Sequence, residues 1–187
     1  MAHAKEHHHG HAHAHGAPEY RFCPKCGGAL ERRIVKHGEP ERLVCAGCAF
    51  IFYLDPKVVA GTVFTIGGGI VLLRRGVEPS LGKWVFPGGY VDRGESVADA
   101  AVRETREESC LDVRLGSLVG VYSYAGSPNV IIVYAAEVIG GALAAGDESV
   151  EARAFAPDAI PWAELGFDST RDALRDYLRL YLRAGMG

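Results

Sequence analysis

Between Lys57 and Ile66 the chain reads KVVAGTVFTI, and between Ile70 and Arg75 it reads IVLLRR, with Gly67-Gly68-Gly69 in between. Two β-branched, largely apolar runs joined by glycines predict a pair of strands connected by a hairpin turn. Further strands are expected at 83–87 (KWVFP), 115–124, 130–138 and 150–155. Residues 95–109 break that pattern. Ala98, Ala101, Val102 and Thr105 recur at helical spacing with the charges turned elsewhere, which predicts an amphipathic helix. Ser169-Thr170 opens a second helix, STRDALRDYLRLYLRAG, whose Leu174, Tyr177, Leu178 and Tyr181 share one side and which ends at Gly185. Strands mixed with two main helices indicate an α/β domain.

The flanks differ from this region. Residues 1–19 carry seven histidines between His3 and His15 without apolar periodicity, and are expected to be disordered, as a solvated tail or a tag; a metal-binding tail is the alternative. Residues 20–55 form a compact cysteine-rich module, and Pro56 marks the start of the strand-rich part, 56–187. With 187 residues and 48% hydrophobic content the chain can bury a real core. A net charge of −3 exerts no general pull on nucleic acid or anionic membranes. No run reaches the ~18 apolar residues of a membrane span, so no membrane association is expected and the cytoplasm is the expected location.

Cys23, Cys26, Cys45 and Cys48 follow the pattern C-x2-C-x18-C-x2-C. Two such pairs bring four thiolates to one tetrahedral Zn²⁺ and leave no position open for water, so the zinc is expected to be structural. Unliganded cysteines are the competing reading. Arg32, Arg33, Lys36 and Arg42 alternate with Glu31, Glu39 and Glu41, a mixture that describes a solvated face better than a basic patch, so a nucleic-acid partner is not expected.

Charge is most crowded in RETREES, residues 103–109. On a helix Glu104, Glu107 and Glu108 lie three and four positions apart, share a side and repel one another. Either Arg103 and Arg106 hold an exposed acidic face, or the carboxylates hold a hard divalent cation such as Mg²⁺ or Mn²⁺.

The longer stretch GGYVDRGESVADAAVRETREESCL resembles the Nudix box, G-x5-E-x7-R-E-U-x-E-E-x-G-U with U apolar. Gly89, Glu95, Arg103, Glu104, Glu107, Glu108 and Leu111 occupy specified positions. Thr105 replaces an apolar residue and Cys110 replaces the glycine, while every charged position is intact. The resemblance implies an α/β/α sandwich with a mixed sheet, preceded by a four-cysteine zinc ribbon, and Mg²⁺-dependent hydrolysis of a nucleoside diphosphate derivative. It also implies roles. Glu107 and Glu108 match the main metal ligands, Glu104 a further ligand or base, and the Gly88 carbonyl the loop contact with the metal. Arg103 matches the arginine that orients Glu104 or pairs with Glu95, and Glu151 resembles a downstream base or ligand. The zinc-ribbon subgroup acts on nucleotide-sugar or dinucleotide molecules, and its NADH-specific members carry SQPWPFPxS after the box. YSYAGSPNV stands at 122–130 instead, so FAD or ADP-ribose is preferred over NADH. A homodimer is compatible with the resemblance. The competing class is a binding module that keeps the pocket without the chemistry. Trp84, Phe86, Tyr122 and Tyr124 are read as core, with adenine stacking as the alternative.

Overall fold

The computed structural model describes residues 20–182; the histidine-rich segment and the end of the last helix at Gly185 lie outside the described residues. The chain divides into two compact units between Asp55 and Pro56.

In the first unit β1 (Leu30–Arg33), β2 (Arg42–Cys45) and β3 (Ile51–Phe52) form a small antiparallel sheet in that order. Phe52 stacks edge-on against Tyr20 at 4.9 Å, and Arg42 lies over the Tyr53 ring. Few side chains are buried: Cys23, Val44 and Cys45. So small a core needs a crosslink or a metal to hold it.

The second unit contains β4 (Lys57–Val63), β5 (Thr65–Ile66), β6 (Gly69–Arg75), β7 (Trp84–Val85), β8 (Gly88–Tyr90), α1 (Val97–Ser109), β9 (Leu111–Ser123), β10 (Asn129–Gly141), β11 (Ser149–Phe155) and α2 (Asp168–Tyr177). One sheet has the order β8-β4-β10-β9 and a second the order β11-β6-β5, with β7 also on β6. The first is mixed, because β4 runs parallel to β10 while its other pairs are antiparallel. The run 57–66, expected as one strand, is divided: β4 belongs to the first sheet and β5 pairs back on β6. Gly67 and Gly68 make the turn between β5 and β6, both at positive φ.

Alternation along β10 separates two cores. Ile131, Val133 and Ala135 enter the main cluster with Ala173, Leu174 and Tyr177 of α2, whereas Tyr134 packs with Ala60, Ala100 and Ala101 under α1. Successive strand residues point to opposite faces, so α1 and α2 cover opposite sides of the sheet and the unit is an α/β/α sandwich. The predicted core aromatics sit there too: Trp84, Phe86 and Tyr122 are buried, and Tyr124 packs against the same cluster. The Tyr122 and Tyr124 hydroxyls donate to Asp176 and Asp172 of α2 at 3.0 and 2.8 Å.

Ser169 and Thr170 do not cap α2; they lie inside its first turn, buried, behind an N-cap at Phe167 that makes no side-chain hydrogen bond. Among the described residues no helix is long and apolar enough to cross a membrane.

Candidate active site

The carboxylate helix begins at Ser96, whose Oγ accepts from the Asp99 amide at 3.1 Å while donating to its carboxylate at 2.7 Å. It ends at Cys110, which adopts the left-handed conformation (φ 58°) that the box ordinarily assigns to glycine. Exchanging the glycine therefore has not changed how the helix terminates, although a side chain in that conformation costs about 1–2 kcal/mol.

The glycine loop is brought to this helix through β4. Gly88 pairs with Gly61 and Gly89 with Ala60. The Glu104 carboxylate lies directly over Gly89, where a Cβ would come within 2.5 Å of its carboxyl carbon. The Gly88 amide donates to Glu108 at 2.8 Å. Loop and helix thus meet where Gly89 leaves no room for a Cβ beneath Glu104.

Arg103 organises the polar side. Its Nε and Nη2 form a two-pronged pair with Glu95 at 2.8 and 2.9 Å, Nη1 reaches Glu104 at 2.7 Å and Glu107 at 3.1 Å, and Nη2 also donates to the Tyr90 carbonyl. The guanidinium, helped by the Asp92 amide, holds the Glu95 carboxyl at about 2. Glu104 shows 14% of its side chain to solvent and Glu107 58%. Burial raises the Glu104 carboxyl against the pull of Arg103. Glu108 takes its hydrogen bond from the Gly88 amide instead; burial pushes it up to about 7, opposed by that amide and by the charge of Arg75, and reinforced by the charge of Glu104.

The acidic residue that acts on both Glu104 and Glu108 from outside the helix is Glu148, a residue the sequence reading passed over. Its segment is laid tightly along the end of α1: the Ala144 amide donates to the Ser109 carbonyl and the Gly146 amide to that of Glu108. A Cβ on Gly146 would run into the Glu107 carbonyl. Glu151 is placed differently. It opposes Arg74 in the β6–β11 pairing and is engaged by Arg74 and Arg153. By alternation it shares a face with Phe155, which packs in the α2-side cluster, and so points away from α1. Tyr90, also unanticipated, stands 54% exposed beside the loop with the Lys57 ammonium 5.4 Å from its ring centre.

Among the described residues the only group of three or more ligating side chains gathered within 4.8 Å is that of the four cysteines. Glu104, Glu107 and Glu108 are not drawn so close, because Arg103 holds the first two and the Gly88 amide the third. Their donor set is nonetheless that of a hard divalent cation: oxygen atoms only, with accumulated like charge and one half-buried carboxylate whose hydrogen bond comes from an amide.

In the cysteine cluster Cys26 Sγ and Cys45 Sγ are 3.4 Å apart, and Cys23 Sγ and Cys48 Sγ 3.8 Å. A tetrahedron with ~2.3 Å metal–sulfur arms has edges of about 3.8 Å, so the four atoms already outline a zinc site. Backbone amides of Lys25 and Cys48 donate to Cys23 and Cys45 at 3.4 Å. The Cys48 amide brings the Cys45 thiol down to about 7, against the effect of burial. Cys26 is raised to about 12: the Gly28 amide lowers it, but the Cys48 and Cys45 thiols outweigh that. Thiols so close cannot all ionise without a cation among them. The cluster fits a structural Zn²⁺.

A mixed α/β/α sandwich carrying a glycine loop and a carboxylate helix, together with a four-thiol cluster, is the architecture of a metal-assisted phosphoanhydride hydrolase. The family model described as NUDIX domain matches residues 55–177, and one described as Nudix N-terminal, a zinc ribbon, matches 21–54; the chain belongs to the Nudix hydrolase family. It is similar to an ADP-ribose pyrophosphatase of Methanocaldococcus jannaschii, 38% identical over 67% of this chain and 75% of that one. It is also similar to an NAD-capped RNA hydrolase, NudC, of Stutzerimonas stutzeri, 28% identical over 90% of this chain; the match spans 58% of that relative's length. Among solved structures, a Nudix hydrolase from Nitrosomonas europaea superimposes with a TM-score of 0.83 at 31% identity, covering 88% of this chain and 93% of that one.

Proposed function

We propose that the chain hydrolyses the diphosphate linkage of a dinucleotide-type nucleoside diphosphate derivative, with ADP-ribose as the leading substrate, FAD next and NADH last. The observation that carries this reading is the meeting of Glu108, Glu104 and the glycine loop around a charge that Arg103 only partly offsets. The name of the Methanocaldococcus relative supports ADP-ribose over FAD. An RNA end capped by a dinucleotide presents the same diphosphate, so the name of the Stutzerimonas relative brings such ends into the substrate class.

Glu104, Glu107, Glu108 and the Gly88 carbonyl are assigned to hold Mg²⁺, or Mn²⁺ in its place. Bound there, the ion would neutralise charge across the diphosphate. Arg103 fixes the orientation of Glu104 and, through Glu95, ties the helix to the loop. Glu148, which follows the Gly146 strap and acts electrostatically on Glu104 and Glu108, is assigned to accept the proton of the attacking water, a role given to it in preference to Glu151. Tyr90 offers an exposed ring on which a planar base can stack.

The test is incubation with ADP-ribose, FAD, NADH and NAD-capped RNA in the presence of Mg²⁺, with products resolved by chromatography. Water addition to ADP-ribose should yield AMP and ribose 5-phosphate. Turnover of none of the four would overturn the reading.

A further inference from the structure

Thr105 stands where the box has an apolar residue, yet it is completely buried, as is Thr62 on β4. The two hydroxyls meet at 2.6 Å. Thr105 Oγ1 also donates to the Ala101 carbonyl at 2.7 Å, which commits its proton and leaves Thr62 as the donor between them. The same Thr62 donates its backbone amide to the Pro87 carbonyl at 3.0 Å, immediately before Gly88. One residue therefore grips the glycine loop with its main chain and the carboxylate helix with its side chain. It holds the helix between Glu104 on one side and Glu107 and Glu108 on the other.

We propose that Thr62 is a positioning residue, which sets the register of α1 against the glycine loop and so the separation of the Glu104 and Glu108 carboxylates from Gly88 and Gly89. An apolar pair at these positions packs equally well but can slide; a directional bond in a dry contact has one preferred geometry. The neighbouring contacts of α1 to β4 are made by Ala100 and Ala101, whose methyl groups supply area without direction. The other directional bonds between helix and loop run through the half-buried side chains of Glu108 and Arg103 rather than through the fully buried face. The inference rests on the reading of Glu104 and Glu108 as ligands of a divalent cation.

The experiment measures Mn²⁺ binding by electron paramagnetic resonance in the zinc-loaded full chain, with far-UV circular dichroism on each variant. The binding lost in Glu108→Gln defines the carboxylate site. Thr62→Val should weaken that component about tenfold, the usual range for a group that orients a metal ligand. Thr105→Val, which removes the same bond from the helix side, should weaken it to the same degree, and Thr62→Ser, which keeps the hydroxyl, should restore it. Parental Mn²⁺ affinity in either folded valine variant, or a serine variant as weak as the valine one, would overturn the role of Thr62. Parental binding in Glu108→Gln would overturn the metal-site reading instead.

Discussion

In the small unit Cys26 Sγ and Cys45 Sγ stand 3.4 Å apart with backbone amides already directed at the sulfurs, whereas in the larger unit Glu104 and Glu107 are both held by Arg103 and Glu108 turns to the Gly88 amide. The thiols are assembled by two tight turns and, apart from backbone amides, face only one another. The carboxylates have alternative partners that satisfy them separately. A site of the first kind suits an ion that remains and holds the chain together; one of the second kind suits an ion that comes and goes with substrate. Burial follows the same division, since the ribbon has almost no core while the second unit surrounds β6 with apolar side chains on both faces.

The largest difference should appear on metal removal. Structural Zn²⁺ in such a module is worth ~10 kcal/mol or more, so Cys45→Ser should unfold residues 20–54 while leaving α1 and the sheets protected. Amide hydrogen exchange reads both regions at once; a ribbon that stays protected in Cys45→Ser would erase the contrast. Next in size, Glu107→Gln and Glu108→Gln should each keep the fold and lower kcat by ~10²-fold or more, since each removes a charge from the proposed cation site. Near-parental rates in both variants would reduce that face of the helix to a charged surface.

Smaller effects lie within α1 itself. Thr105→Val strands the buried Thr62 hydroxyl and should cost about 1–3 kcal/mol, more than Thr62→Val, which leaves Thr105 bonded to Ala101 and should cost about 1. Chemical denaturation decides the order, and equal losses would contradict the donor assignment. Cys110→Gly should raise stability by ~0.5–1 kcal/mol, because only the side chain resists the left-handed turn. The smallest effect is with acid. The Glu95 carboxyl is depressed from 4.5 to about 2, so its contribution is complete above pH 4.5 and disappears as pH falls towards 2. Glu95→Gln should flatten that part of the stability profile, as followed by thermal melts across pH 2–5.

Much of this was legible in the chain. Helical spacing of Ala101, Val102 and Thr105 announced α1, and β-branched runs announced the strands, because both signals are local. Ala98, counted on the same side of the helix, is exposed, and Ala100 is buried in its place. The division of 57–66 between two sheets was hidden, since no residue there records which partner strand it will meet; the break at Phe64 follows from β4 reaching β10, far along the chain. Thr105 read as a blemish in the box because its partner, Thr62, lies 43 positions away. Glu148 escaped for a similar reason: it sits in an unremarkable AAGDES stretch, and only the close seating of Gly146 on α1 brings it within electrostatic reach of the carboxylates. A signal was present in that glycine, just ahead of a strand and followed by two acids, but it acquires meaning only with the helix end in place. The four cysteines needed no such context, because their spacing already contains the geometry of the cluster.

The most direct test of the central claim follows ADP-ribose hydrolysis by the chain and by Glu108→Gln, each with Mg²⁺ and again after EDTA, with zinc content measured alongside. AMP and ribose 5-phosphate are expected from the parent with Mg²⁺, little product from Glu108→Gln or after EDTA, and recovery on adding Mg²⁺ back. Hydrolysis that proceeds equally in Glu108→Gln, or that survives EDTA, would contradict that claim.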